Sequence, residues 1–92
     1  MQTLTEEQVQ TRLEDLADWS VIRDAIQRTY QFKDFAEAMV FVNKVAEMAE
    51  EDQHHPDILI RFNKVTLTLS THDAGGITEK DFALAAKADR AL

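Results

Sequence analysis

Cysteine is absent from the 92 residues, and proline and glycine nearly so, at one and two. Without cysteine there is no disulfide framework and no thiolate metal site. With so few residues to punctuate it, most of the chain is expected in regular structure. Positive charge is also scarce. Ten Lys and Arg stand against seventeen Asp and Glu, a formal net charge of -7. A basic stripe for phosphate contacts is missing, which argues against direct binding to nucleic acid, and an anionic membrane is an equally poor partner. No apolar run is long enough to span a bilayer. The opening MQTLTEEQVQ lacks the basic start and apolar run of a signal peptide. The expectation is a soluble cytoplasmic protein whose acidity serves solubility. Residues 1–92 suit a single domain and are too few for two cores. Small domains bury a smaller share of their surface than large ones, so extra stability, where needed, would have to come from oligomerisation.

What is present reads as short elements with local start signals. Thr5 and Gln8 form a capping box flanked by Leu4 and Val9, and Val9, Leu13 and Leu16 recur at helical spacing. That helix is expected to end near Leu16. Trp19 to Ile22 is rich in strand formers, and Ile26, Tyr30 and Phe32 share one parity, with Arg23-Asp24-Ala25 as the turn between them. Asp34 caps the central helix and Glu37 completes its box. Its stripe is Phe35, Ala38, Met39, Val42, Val45, Ala46 and Ala49. Val40, Phe41 and Met48 lie off the stripe and suggest deeper burial or a subunit contact. The helix must stop before Pro56. Ile58, Ile60 and Phe62 alternate, as do Val65, Leu67 and Leu69, with Asn63-Lys64 as a two-residue turn. After Gly75-Gly76 a last helix opens at Thr78, boxed by Asp81, with Ile77 against Phe82. The order α-ββ-α-ββ-α predicts an α+β fold, a four-stranded antiparallel sheet with three helices on one face.

The histidines flank the second hairpin: His54 and His55 before it, His72 after it. An Asn63-Lys64 turn pairs Phe62 with Val65 and, counted outward, sets His55 opposite His72, with Cβ atoms about 4.5–5.5 Å apart. Pro56 cannot donate to a ladder, so this stretch is expected at an edge. Glu50 stands four residues before His54 and shares its face if the helix continues. A carboxylate beside an imidazole favours the protonated ring and fixes its tautomer. Asp73 and Asp81 add acids at the same end. Histidine titrates near neutral pH, so this set suits acid–base chemistry. Plainer roles also fit. His54 and His55 suit a helix C-terminus, His72 a solvated strand end, Glu50 a run of surface acids, and Asp81 a cap. Three histidines are also a zinc set. Adjacent strand residues point to opposite faces, so His54 and His55 reach one metal only from irregular backbone, which Pro56 permits.

Glu50-x-x-x-His54-His55-Pro56, then Phe62-Asn63-Lys64-Val65, then Thr71-His72-Asp73-x-Gly75-Gly76-x-Thr78-x-x-Asp81 resembles the signature of pterin-4a-carbinolamine dehydratases. The likeness extends back through Tyr30-x-Phe32-Lys33-Asp34-Phe35 to Trp19. The resemblance implies the same α+β fold, and a homodimer or homotetramer. It implies a lyase that dehydrates 4a-hydroxytetrahydropterin to quinonoid dihydropterin and so recycles the cofactor of aromatic amino-acid hydroxylases. No metal or organic cofactor is implied. His54, His55 and His72 would be catalytic, with Glu50 and Asp81 in support. Pro56, Thr71, Asp73 and Ala74 would line the pterin pocket. His55 or His54 would act as general acid, with His72 orienting the ring. Two departures stand out: Ile58 where the family often has an aromatic, and Gln53 where an acid is common. Some relatives are dimerisation cofactors for transcription factors or inactive assembly factors, so the alternative is a non-catalytic interaction protein of the same fold.

Overall fold

A computed structural model describes residues 2–92. Each helix starts where a short polar side chain meets orphan backbone donors. Helix α1 (Glu6–Leu13) opens on the Thr5 box: Gln8 N–H donates to Thr5 Oγ1 at 3.2 Å and Thr5 N–H to Gln8 Oε1 at 2.9 Å. It ends at Leu13, not Leu16. The chain tightens into successive turns there, with Leu16 N–H on Leu13 O at 3.1 Å. Strands β1 (Ser20–Ile22) and β2 (Ala25–Gln31) form the first hairpin. Its turn is Arg23-Asp24, with Arg23 at φ 54; Ala25, expected in the turn, pairs with Ile22. Helix α2 (Phe35–Asp52) is capped by Asp34, whose side chain accepts Glu37 N–H at 2.8 Å. The Glu37 carboxylate accepts from Lys33 N–H at 3.3 Å, one residue short of the expected box.

The second hairpin corrects the register. Strands β3 (Asp57–Arg61) and β4 (Lys64–Leu69) pair Arg61 with Lys64, Ile60 with Val65 and Ile58 with Leu67. The turn is Phe62-Asn63, and Phe62 carries the positive φ of 52. Asn63 is held elsewhere. Phe32 N–H donates to Asn63 O, and Asn63 Nδ2–H to Phe32 O, both at 2.8 Å. These bonds extend the β2–β4 ladder by one pair and pull Asn63 into it. The expected partners were two residues out, a slip that leaves every side chain on the same face. His55 therefore does not oppose His72, and the ladder ends at Asp57–Thr68.

The sheet runs β1-β2-β4-β3, all antiparallel, with α1, α2 and α3 (Glu79–Arg90) on one side. Ile26, Tyr30, Val65, Leu67 and Leu69 are buried on the covered face. From α2 the core takes Ala38, Phe41, Val42, Val45 and Ala49. Phe41, expected off the stripe, is buried against Tyr30 and Phe32, with centroids at 4.5 and 5.1 Å. Phe35 and Ala46, expected within it, are exposed. The aromatic side chains of Tyr30 and Phe32 thus set the helix's rotation. At the far end of α3, Asp89 accepts from Trp19 Nε1–H at 3.2 Å, Arg28 Nη1–H at 2.8 Å and Tyr30 O–H at 2.5 Å. Burial, then the bond to Asp89, holds the Tyr30 phenol well above its ordinary range.

Candidate active site

The last turn of α2 positions both neighbouring histidines. Gln53 is left-handed at φ 50; its N–H donates to Glu50 O at 3.3 Å, and His54 N–H reaches Ala49 O at 3.0 Å. This pair of bonds is a Schellman motif, with glutamine where glycine is usual. The sharp reversal sends the two imidazoles apart. His54 is buried and pairs through Nε2 with Asp81 Oδ1 at 2.5 Å. His55 is exposed and pairs through Nε2 with Glu50 Oε2 at 2.5 Å. Glu50 was expected beside His54. Because the helix stops at Asp52, the next exposed ring is its partner.

The facing wall follows β4. Thr71 makes an isolated bridge with Gly76, Thr71 N–H donating to Gly76 O at 2.9 Å. The bridge closes a tight loop around a single 3-10 turn, His72–Ala74. Gly75 ends that turn at φ 80, a conformation that L side chains rarely adopt. His72 and Asp73 stand exposed on the loop. The third wall is the start of α3. Thr78 N–H donates to Asp81 Oδ2 at 2.8 Å, completing the predicted box, and Thr71 Oγ1–H donates to the same oxygen at 3.0 Å. Asp81 is fully buried. It therefore caps a helix with one oxygen and braces an imidazole with the other.

These walls enclose an open hollow of ≈ 240 Å³ lined by Gln53, His54, His55, Ser70, Thr71, His72, Asp73 and Lys80. All three histidines reach it although the expected His55–His72 opposition is absent. Thr71 and Asp73 line it too. Asp81 stands behind His54 and Glu50 beside His55, while Pro56 and Ala74 are not in the lining. Ser70 and Lys80 were missed by sequence reasoning, as was Thr78 beyond its cap. For Lys80 the signal was the capping box, which fixes where the first turn of α3 faces. A hollow of ≈ 270 Å³ lies between the N-terminal segment and the Arg23-Asp24 turn, but it holds no histidine. Chemistry singles out the smaller one. Among the described residues no three His, Cys, Asp or Glu side chains gather into a set that could hold a metal ion. Among them, too, no helix is long and apolar enough to cross a membrane.

Residues 2–91 match the family model described as Pterin 4 alpha carbinolamine dehydratase. A Thermomicrobium roseum protein carrying the provisional name pterin-4-alpha-carbinolamine dehydratase is 55% identical over 87 residues, 95% of this chain and 94% of its own. An Acidobacterium capsulatum protein of the same provisional name is 52% identical over 92 residues, the full length of both. A crystal structure from Brucella melitensis, described as a transcriptional coactivator/pterin dehydratase, superposes with a TM-score of 0.93 at 36% identity, covering 97% of each chain. A pterin dehydratase-like protein identified as a RuBisCO assembly factor in the alpha-carboxysome shares the fold, with a TM-score of 0.65 at 24% identity over 79% of this chain and 84% of its own.

Proposed function

The chain belongs to the pterin-4a-carbinolamine dehydratase family, and on that premise we propose that it dehydrates 4a-hydroxytetrahydropterin to quinonoid dihydropterin by acid–base catalysis on histidine. One observation carries the reading: three imidazoles from two segments of the chain line one hollow, and one of them is braced by a buried carboxylate. The same logic, a carboxylate fixing the tautomer and orientation of an imidazole, serves hydrolytic triads.

The reaction breaks the bond between ring carbon 4a and its hydroxyl. Hydroxide is a poor leaving group, so a proton must reach the oxygen, which departs as water. The electron pair of a ring N–H forms the new C=N bond, and the freed proton passes to a base. One proton is given and one taken, with no change of oxidation state. A group that titrates near neutral pH suits both tasks. His54 or His55 supplies the proton to the hydroxyl, and His72 orients the pterin. Asp81 and Glu50 orient their respective rings. Thr71 and Asp73 line the pocket, with Pro56 and Ala74 shaping the backbone around it. No metal or organic cofactor enters this scheme. The protein would work in the cytoplasm, returning pterin to aromatic amino-acid hydroxylases.

Stopped-flow mixing with enzymatically generated 4a-hydroxytetrahydropterin tests the proposal. Dehydration should run well above the spontaneous rate. His72→Ala should slow it at least about 10²-fold while the circular dichroism stays that of the parent. Equal rates for parent and variant would remove the assigned role. A spontaneous rate for both would favour the non-catalytic alternative.

A second role has its own support. The Brucella melitensis relative is described as both coactivator and dehydratase. Val40, Leu59 and Phe62 are each more than half exposed here. We therefore also propose that copies associate as a homodimer or homotetramer, leaving room for a regulatory partnership beside catalysis.

A further inference from the structure

Behind the histidine hollow runs a chain of four side chains nearly closed to solvent: His54 and Thr71 at 8% exposure, Thr78 and Asp81 at 0%. Its proton order can be deduced. A hydroxyl has one proton, and a carboxylate only accepts. Thr71 Oγ1 gives its proton to Asp81 Oδ2 at 3.0 Å. Thr71 and Thr78 hydroxyl oxygens are 2.7 Å apart, so Thr78 must be the donor of that pair. Thr78 Oγ1 in turn accepts Lys80 N–H at 3.2 Å. In the reverse order the Thr78 proton has no acceptor among the described residues, and a buried unmatched donor is costly. Only one direction satisfies every group. Asp81 Oδ2 is then occupied by Thr71 O–H and Thr78 N–H, and Oδ1 is left for His54 Nε2.

Capping alone does not account for this. A helix cap needs only the oxygen lone pair of Thr78. Its proton is surplus to that role and points to Thr71. We propose that Thr78 is a positioning residue of the dehydration: its O–H orients Thr71, and Thr71 O–H with Thr78 N–H holds the Asp81 carboxylate where it accepts from His54 Nε2–H. Nδ1 is then the nitrogen through which His54 exchanges protons with the substrate. The proposal rests on the reading of His54 as an acid–base group.

The test is nitrogen NMR of the full-length chain labelled in its histidines, beside kinetics. With the ring neutral, unmodified protein should show His54 protonated on Nε2. Thr78→Val keeps the shape and removes the proton; it should leave His54 protonated on Nε2 but loosen its bond to Asp81, read as faster exchange of that proton with solvent and a kcat about tenfold lower, with KM within about twofold. Thr78→Ser should restore both. An Nδ1–H tautomer in the unmodified protein overturns the proposal, and so does a Thr78→Val variant with parental proton exchange and kcat. Should Thr78→Val fail to fold, the tautomer of the unmodified protein and of Thr78→Ser decides. If the proton exchange responds as stated while no variant or parent dehydrates the pterin, the ordered chain stands and the dehydratase reading alone fails.

Discussion

Tyr30 joins two kinds of burial in one side chain. Its ring packs edge-on to Trp19 at 6.3 Å and beneath the Arg28 guanidinium at 4.3 Å, while its hydroxyl donates to Asp89. A hydrogen bond to a charged acceptor contributes about 1.5–3 kcal/mol, so Tyr30→Phe should lose about that much in urea unfolding at pH 7. The alkaline side gives a separate signature. The phenol is raised above its ordinary 10.0, so the folded state keeps a proton that the unfolded state gives up. Its contribution is full below pH 10 and is lost as pH rises further, a decline the Tyr30→Phe variant should not share. Local chemistry made some residues legible. Thr5, Asp34 and Thr78 act on backbone groups within three residues and were found. Asp89 was not, because its partners lie 59 to 70 residues away along the chain. The His54–Asp81 pair was half legible: both residues were singled out, but their contact spans 27 positions with no periodic signal.

At the scale of elements, the end of α2 stores strain where the site begins. Gln53 occupies left-handed backbone, which costs an L residue roughly 1–2 kcal/mol. Its Nε2–H returns part of that by donating to Glu50 O at 2.7 Å. Gln53→Gly should therefore stabilise the chain by about 0.5–1 kcal/mol, read from the shift in urea midpoint at constant slope. Element type and order were readable from caps and periodicity for all three helices and four strands. Registry was not. A two-residue slip preserves the apolar face of β3 and β4, so alternation could not choose between turns at 62–63 and 63–64. The choice fell to Asn63, whose pair of bonds to Phe32 comes from the other hairpin. The rotation of α2 was lost for the same reason, since Phe41 is recruited by Tyr30 and Phe32.

For the whole molecule, a fold of this size leaves one sheet face and several large apolar groups uncovered. Association of copies, as proposed, predicts a Tm that rises with protein concentration, measurable by calorimetry over a hundredfold range. A Tm independent of concentration would mark a chain stable by itself. No feature of the composition specified where copies would touch. The double use of Asp81 carries a further consequence for biosynthesis. The paired imidazoles leave the ribosome well before the carboxylate that steadies the inner one, and that carboxylate takes up its place only once the final helix docks. A chain cut short before α3 would thus hold both rings while the inner one lacks its brace.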